Sequence, residues 1–521
     1  MFAAIGHLLR LLRAVYVLAR EGVFSGIDPR LVPIEARLPL AVARLIARKN
    51  VGVGMSRLAV AIQRLGPSYI KLGQFLATRP DVVGAGAVMA LESLQDRVAP
   101  FPRAVSVAII EAAFGQPIDS LFVSLSEPMA AASIAQVHRA RLRNQDGERD
   151  VAVKVLRPGV ERLFRRDISD MYFAARLAER WLPDARRLKP VEVVDTLARS
   201  VTMEMDFRLE AAAASEFGEN AAADPDFRVP RIDWNLTAKE VLTLEWIDGT
   251  SLSDMAGLEA RGLDLPSLGR VVIQSFLRHA MRDGFFHADM HQGNLFADHD
   301  GKLVAVDFGI MGRLGPKERR FLAEILYGFI TRDYNRVAEV HFQAGYVPRT
   351  HRVADFAQAI RAIGEPIHSR TADQISMAKL LTLLFEITAL FDMHTRIELV
   401  MLQKTMVVVE GVARKLDPRL DLWATSEPVV RSWIEENLGP LGKLQDAGAS
   451  VMSLARASLA LPDVLVRGER ILSSLETSFD KGIGLSGESL EALAKAQAGR
   501  FGWMTGALWL IGIALMLHWL F

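Results

Sequence analysis

The segment FFHADMHQGNLF at 285–296, followed by VAVDFGI at 304–310, limits what this chain can be more than any other feature. It places Asp289, Asn294 and an Asp-Phe-Gly that begins at Asp307 in one short stretch. A polyphosphate carries several negative charges, so a divalent metal held by hard oxygen ligands must accompany it. The acceptor oxygen needs a carboxylate that orients it and takes its proton. The residue types and their order therefore predict a phosphoryl-transfer site.

The spacing is typical of protein-kinase-like folds, in which a short hairpin separates the two halves of the site. Asp289 is the predicted catalytic base or positioning carboxylate. Asn294 and Asp307 are the predicted magnesium ligands. His287 is expected to order the loop, whereas His291 either packs within the loop or contacts phosphate or metal. The alternative is a surface loop that precedes an ordinary strand.

Lys154 lies in the hydrophobic segment VAVKVL. A buried ammonium group is costly unless it is paired, so such a lysine either holds the α- and β-phosphates of ATP or reaches solvent from an edge strand. A kinase-like site also needs a carboxylate partner on the helix that follows, where TMEMDFRLEA offers Glu204, Asp206 and Glu210. The last two are one helical turn apart and share a face, and Glu204 lies partly round from them.

A loop of small residues replaces the glycine-rich loop of ordinary kinases. Small side chains still let the backbone approach an anion, but alanine seldom adopts positive φ, so we expect a stiffer loop and a different nucleotide pose. The predicted nucleotide-binding residues here are Ala130, Ala131, Ala132, Ser133, Ile134, Ala135, Gln136 and Val137.

The chain has 521 residues, which is too long for one hydrophobic core. Hydrophobic periodicity predicts strands within 121–157, broken by a turn from Pro128 to Ser133, a further strand over 241–249, and a helix over 265–283. The predicted fold class is α+β, a bilobal protein-kinase-like fold. The predicted segments are an amphipathic helix (1–25), a helical extension (26–118), a small lobe (119–248), a helical lobe carrying the catalytic loops (249–475), a linker (476–500) and a membrane anchor (501–521).

Residues 501–521 contain no aspartate, glutamate, lysine or arginine. At about 1.5 Å per residue this run is long enough to cross a hydrocarbon core of about 30 Å. Lys495 and Arg500 precede it, which predicts a transmembrane helix with its N-terminal side in the cytoplasm. A buried core helix is the alternative. Residues 2–20 carry three arginines among apolar residues, which predicts an amphipathic helix. Such a helix binds membranes more weakly than a transmembrane helix does.

Overall composition excludes several classes of function. The net charge is +1, so there is no basic field that would indicate nucleic-acid binding. The chain has no cysteine, which excludes disulfides, thiolate metal sites and a cysteine nucleophile.

Lys71-Leu72-Gly73-Gln74 is the most distinctive motif. Together with AAASIAQVH, VAVKV, EMDFRLEA, HADMHQGN, DFG and the later VEGVARKLDP, it resembles the UbiB-type family of atypical kinase-like proteins, which supports ubiquinone (coenzyme Q) biosynthesis. The resemblance covers residues from about 20 to about 425 and implies ATP and Mg²⁺ as cofactors.

The resemblance also implies that helices carrying this motif cover the place where a peptide substrate would bind. Lys71 would pair with Glu204, Glu210 would pair with Lys154, and Gln74 would face the phosphates. The implied gate residues are Lys71, Gly73, Gln74, Glu204 and Asp206.

The implied hinge that meets adenine is Glu245, Trp246 and Ile247. Family members commonly have prolines where this chain has Met290 and Gln292, so the loop is expected to be less rigid without losing a ligand. An asparagine of the family is replaced by Ala213, which removes a polar contact near the nucleotide.

Two further absences concern peptide substrates. No Ala-Pro-Glu follows Asp-Phe-Gly, and the catalytic loop reads His-Ala-Asp rather than His-Arg-Asp. We therefore expect neither a platform for peptides nor an activation-loop phosphorylation switch.

The leading expectation is a membrane-bound ATPase or small-molecule kinase that promotes ubiquinone synthesis. Its expected partners are membrane lipid, isoprenoid quinone precursors and ubiquinone-biosynthesis enzymes, with homo-oligomers left open. Its expected location is the bacterial inner membrane, with the kinase-like body in the cytoplasm. One alternative is a nucleotide-gated scaffold with little turnover. Another is a soluble phosphotransferase of the aminoglycoside or choline type, against which the Lys-Leu-Gly-Gln segment and the apolar tail argue.

Overall fold

The computed structural model describes residues 2–28, 30, 34–48, 56–77, 99–144, 147–181, 189–367, 390–393 and 397–438, with single positions at 83, 87, 90, 91, 186 and 387. The chain forms two units, one of residues 1–27 and 43–435 and the other of 28–42 and 436–521. The predicted linker (476–500) and membrane anchor (501–521) lie outside the described residues. Across the part that is described, no helix is both long and apolar enough to cross a bilayer.

The helices are α1 (Phe2–Arg20), α2 (Ile34–Leu45), α3 (Arg57–Leu65), α4 (Pro67–Ala77), α5 (Arg103–Phe114), α6 (Ile118–Leu121), α7 (Val160–Trp181), α8 (Pro190–Glu204), α9 (Phe207–Asn220), α10 (Met255–Ala260), α11 (Leu265–Arg278), α12 (Pro316–Ile330), α13 (Tyr334–Gln343), α14 (Val353–Ile367), α15 (Ile397–Leu416) and α16 (Leu422–Leu438). The strands are β1 (Ser124–Ala131), β2 (Ala135–Asn144), β3 (Gly147–Leu156), β4 (Phe227–Arg228), β5 (Val241–Glu245), β6 (Gly249–Ser251), β7 (Phe285–His287), β8 (Leu295–Asp298), β9 (Leu303–Ala305) and β10 (Met311–Arg313).

The small lobe is built on an antiparallel sheet in the order β1-β2-β3-β5. Side chains alternate across a strand, so Val153 and Val155 face a core shared with α5, and Lys154 faces the opposite side. The predicted turn from Pro128 to Ser133 is wrong in its extent. Strand β1 continues to Ala131, because Pro128 pairs with His138 and Ala131 pairs with Gln136 across an irregular register.

The acidic segment 202–211 is not the single helix that the sequence predicted. Helix α8 ends at Glu204, and α9 begins only at Phe207. Asp206 is the N-cap of α9, where its side chain accepts a hydrogen bond from the backbone N–H of Arg208. This cap satisfies an otherwise unpaired helix donor, and it separates Glu204 from Glu210 onto different helices.

Helices α3 and α4 meet at Gly66, whose φ of 104° is readily adopted only by glycine. Helix α4 packs against α7 and α8 of the small lobe. Its side chains Tyr69, Leu72 and Phe75 border the same hydrophobic core as Phe164 and Phe207. The helix that carries the Lys-x-Gly-Gln motif is therefore part of the small lobe's packing.

The large lobe packs around α11 and α15. The helix predicted over 265–283 changes at His279 into a π-helical turn (His279–Asp283), where His279 and Arg282 both contact Asp224. Two short pairings then position the catalytic segment. Strands β8 and β9 form the predicted hairpin, and β10 pairs with β7, so that Met311 lies opposite His287.

Candidate nucleotide-binding and phosphoryl-transfer site

Lys154 is the centre of the site. Its ammonium Nζ lies 2.9 Å and 3.0 Å from the two carboxylate oxygens of Glu210, and 2.9 Å from Oδ1 of Asp307. Strand β3 supplies the lysine, α9 supplies Glu210, and the segment after β9 supplies Asp307. The expected pairing of Lys154 with Glu210 is present. The contact with Asp307 was not predicted, because it joins residues from opposite lobes.

Burial and neighbouring charges shift the pKa values of Lys154, Asp307 and Glu210 in different directions. Burial alone lowers the pKa of Lys154, but the carboxylates of Asp307 and Glu210 outweigh it and raise the pKa above its usual value. Desolvation opposes ionisation of Asp307, yet the Lys154 ammonium, helped by Lys71, holds the pKa of Asp307 well below its usual range. Burial raises the pKa of Glu210 to about 7, against the opposing charge of Lys154. Lys154 and Asp307 are therefore charged at neutral pH, whereas burial disfavours the charged form of Glu210.

His287 orders the catalytic loop, as the sequence predicted. Its ring is buried, Nε2 donates to the carbonyl of Val306, and Nδ1 accepts from the backbone N–H of Asp289. Burial lowers the pKa of His287, so the neutral ring makes both bonds. Asn294 donates from Nδ2 to the carbonyl of Asp289 at 3.1 Å, which closes the loop on itself.

His291 takes the loop-packing role that the sequence left open. Its Nδ1 accepts from the backbone N–H of Gly293 at 3.0 Å. Its Nε2 lies 3.8 Å from Oδ2 of Asp289, and the imidazole is half exposed.

The loop is braced where family members commonly have prolines, so the expected loss of rigidity is offset. Met290 is buried in the large-lobe core. The side-chain carbonyl of Gln292 accepts from Nζ of Lys415 at 2.8 Å, and its backbone carbonyl accepts from Ser251. Thr405 also donates to the carbonyl of Ala288 at 3.0 Å. Helix α15 therefore holds the catalytic loop through two side chains.

The donor set fits a magnesium–nucleotide complex. Asp307 adopts a left-handed backbone with φ of 65°, a conformation that aspartate tolerates and that aims its carboxylate at Lys154. The hydrogen bond of Asn294 uses its nitrogen and leaves the amide oxygen as a possible metal ligand. Among the described residues, no group of three or more acidic or histidine side chains is arranged to hold a metal by itself. Mg²⁺ commonly uses one or two protein ligands plus phosphate oxygens, which matches this pair.

The small-residue loop is shorter than the sequence suggested. Ala130 and Ala131 end β1, Ala135 to Val137 begin β2, and only residues 132–134 form the turn. Ala132 donates its N–H to the carbonyl of Ala135 and accepts from the Arg157 guanidinium, so the turn is tied at both ends.

Two side chains of this loop point into the lobe rather than toward a ligand. Ile134 belongs to the hydrophobic core around Phe164. The Gln136 amide is fully buried and bonds to the backbone of Phe101 and to Ser106. Only the backbone of these two positions is available to a nucleotide, which is how the sequence expected this loop to approach an anion.

The predicted hinge residues are already engaged in the fold. The N–H groups of Glu245 and Trp246 donate to the carbonyls of Arg231 and Asp150. The Glu245 carboxylate contacts Arg228 at 3.1 Å. If an adenine binds at this edge, it must therefore use their carbonyls or the backbone of Ile247.

The ion pair between Lys71 and Glu204, which the family resemblance implies, is present. Nζ of Lys71 lies 2.6 Å from Oε2 of Glu204, and each side chain is only 11% exposed. Gly73 is buried on α4, and within the described part of the chain the buried side-chain oxygen of Gln74 has no hydrogen-bond partner. Asp206 is not part of this contact, because its carboxylate pairs with Arg208.

Comparisons with known proteins show the family to which this chain belongs. Residues 93–341 match the ABC1 atypical kinase-like domain, and residues 360–421 match the UbiB helical domain. The chain is 39% identical over 466 residues to a probable protein kinase UbiB of Marinobacter nauticus, covering 88% of this chain and 84% of that protein. The chain belongs to the UbiB family. A probable protein kinase UbiB of Azotobacter vinelandii is 41% identical over 75% of this chain and 73% of its own length.

The fold of this UbiB-family chain also matches a solved structure. The Rv3197–erythromycin complex from Mycobacterium tuberculosis aligns with a TM-score of 0.51 at 25% identity, covering 76% of this chain and 97% of that one. The kinase-like fold with mixed helix and sheet is therefore confirmed. Sequence reasoning about the UbiB family missed the Lys154–Asp307 contact and the support of the loop by α15. The motif VEGVARKLDP contains Lys415 but gives no sign of what that lysine contacts.

Proposed function

We propose that this protein is a membrane-bound atypical kinase or ATPase that uses ATP and Mg²⁺ in ubiquinone biosynthesis. The observation that carries the proposal is that Lys154 contacts both Glu210 and Asp307, with the lysine and Asp307 both charged. Asn294 donates to the carbonyl of Asp289, and its own backbone carbonyl accepts from Val306, the residue before Asp307. A degenerate pseudokinase has no reason to keep every member of that set.

Each residue has a defined task in this proposal. Lys154, fixed by Glu210, would hold the α- and β-phosphates. Asn294 and Asp307 would hold Mg²⁺, which when bound neutralises charge on the phosphates. Asp289 would orient the attacking oxygen and take its proton.

The gate narrows the choice of acceptor. Lys71 on α4 pairs with Glu204, and its positive charge also helps to lower the pKa of Asp307. Helix α4 therefore covers the site from the small-lobe side. A peptide in extended conformation has no docking platform after Asp-Phe-Gly, because α12 begins at Pro316. We therefore favour water or a small lipid-linked molecule, such as an isoprenoid quinone precursor, as the acceptor.

A nucleotide-gated scaffold is the second candidate. It is favoured because the Lys154 ammonium already contacts two carboxylates, those of Glu210 and Asp307. A nucleotide must therefore compete with Asp307 for this ammonium. In that case ATP would rearrange the gate and organise biosynthetic enzymes with little turnover.

Phosphate release separates the two candidates. The full chain in vesicles is compared with Asp307→Asn, and ubiquinone content is measured in cells that carry either form. The enzyme proposal expects turnover that the variant loses, together with loss of quinone. ATP binding without turnover, with quinone content unchanged by the substitution, would favour the scaffold.

A further inference from the structure

Helix α1 presents its apolar side to solvent. Ile5, Leu8, Leu9 and Val15 are 38–61% exposed and recur at helical spacing on one face. A surface helix of a globular protein normally shows the reverse, with apolar residues inward and charged residues outward. The outward apolar face of α1, defined by these four residues, therefore needs an explanation.

The inward side of α1 is small and polar, and it is firmly attached. Ala14 is buried, and the Arg10 guanidinium donates two hydrogen bonds of 2.6 Å and 2.7 Å to Asp170 on α7. Asp170 is only 1% exposed, and His7 contacts the same carboxylate while stacking on Phe173. A bidentate charge-assisted pair with a buried carboxylate fixes the rotation of the helix. The outward apolar face is thus held outward by the fold.

We propose that the outward apolar face of α1 docks on the surface of an anionic lipid bilayer. Charge supports this occupant: α1 has no acidic residue, and although Arg10 is paired with Asp170, Arg13 is exposed and Arg20 is partly exposed. Apolar residues flanked by arginine are typical of helices that lie in the membrane interface. A second copy of the chain fits less well, since a two-fold contact brings identical cationic helices together.

The proposal deepens the proposed function and rests on it for membrane attachment. Helix α1 packs against α3 and α7, and α3 packs against α4, which carries Lys71. Docking through α1 would therefore turn the gate side of the small lobe toward the bilayer. That is where a substrate with a long isoprenoid tail resides.

The absence of cysteine allows a direct test, because a single introduced thiol can be labelled in the full chain. An environment-sensitive fluorophore is placed at Leu9→Cys. The matched control is Met129→Cys on the edge strand β1, since the two native side chains are 61% and 60% exposed. Each protein is mixed with vesicles of phosphatidylglycerol or of phosphatidylcholine, and recovery by flotation, quenching by aqueous iodide and quenching by spin-labelled lipid are measured.

We expect phosphatidylglycerol vesicles to reduce iodide quenching at residue 9 by at least about twofold and to allow quenching by the lipid spin label there, with neither effect at residue 129. Equal iodide access at residue 9 with and without vesicles, in protein that floats with them, would overturn α1 docking alone. Protein that does not float at all would instead contradict the membrane attachment in the proposed function. If iodide quenching at residue 9 falls as the protein concentration rises in the absence of lipid, the face binds a second copy of the chain rather than a bilayer.

Asp170→Asn provides an independent check of the attachment. It weakens the contact that fixes the rotation of α1, so spin-label quenching at residue 9 should decrease while the vesicle-bound fraction of the full chain stays the same. Unchanged quenching in this variant would show that Asp170 does not orient the helix on the membrane.

Discussion

Nζ of Lys154 lies 2.9 Å from Oδ1 of Asp307, so a lysine of the small lobe and a carboxylate of the large lobe neutralise each other across the site. The same ammonium also contacts Glu210. A nucleotide that takes Lys154 must loosen the contact with Asp307, and a metal must then satisfy the released carboxylate. Binding of nucleotide and of metal at this site should therefore be coupled.

Asp307→Asn should reduce metal-dependent phosphate release by about two to three orders of magnitude while the fold stays intact, because one carboxylate that neutralises metal charge is lost. Lys154 keeps Glu210 as a partner, so the small lobe should not unfold. Phosphate release and circular dichroism on the same sample measure both effects. Asp300→Asn, an exposed position in the same hairpin, is the control. Unchanged turnover in Asp307→Asn would rule out Asp307 as a metal ligand.

Lys71→Ala should open the gate rather than abolish chemistry. Losing one partner of a buried ion pair costs roughly 3–5 kcal/mol, and here the cost falls on the closed arrangement of α4 against α8. Hydrogen exchange across α3 and α4 should accelerate, and residues near Asp289 should become more accessible.

Lys189→Ala is the matched control for the gate, because Lys189 and Glu192 also form a Lys–Glu pair at 3.0 Å but are both about two-thirds exposed. It should leave exchange unchanged. Lost phosphate release with unchanged exchange in Lys71→Ala would mean that Lys71 acts on the nucleotide directly.

Removal of residues 501–521 should release the protein from membranes at least in part, because about twenty apolar residues dominate the free energy of insertion. The full-length double variant Ile511→Arg and Ile513→Arg should have the same effect, since each arginine costs about 3 kcal/mol at the centre of a membrane helix. Extraction with high salt and carbonate gives the measurement. If both variants resist extraction like the wild type, the tail is not the anchor.

His341 should make the protein less stable in acid. Burial lowers the pKa of His341 below its ordinary value of 6.5, so the folded state binds fewer protons than the unfolded state. The contribution of neutral His341 to the free energy of unfolding is complete above about pH 6.5 and is lost as the pH falls below that value. His341→Phe keeps the ring contacts with Tyr346 and Phe356, and it should therefore show a smaller fall in Tm between about pH 7.5 and 5.5 than the wild type.

The wild type, melted over the same pH range, is the reference for this comparison. An identical fall in Tm for His341→Phe and the wild type would show that His341 does not titrate on unfolding in this range.

Much of the site was predictable from local sequence, for a physical reason. Asp289, Asn294 and Asp307 are joined by a short hairpin, so their spacing along the chain fixes their spacing in space. Lys154 was recognisable because a cation in a run of valines needs a partner. His287 was correctly assigned to ordering the loop, since its contacts lie within the same segment.

Only the tertiary structure decided which carboxylates meet which cations. The sequence predicted one helix through the acidic segment, but the N-cap at Asp206 divides it into two. Glu204 consequently pairs with Lys71, and Glu210 pairs with Lys154. The orientation of α1 is similar, because an amphipathic pattern gives two faces and only a buried partner on α7 determines which one points inward. Periodicity is a local property, whereas the choice of partner depends on how distant elements pack.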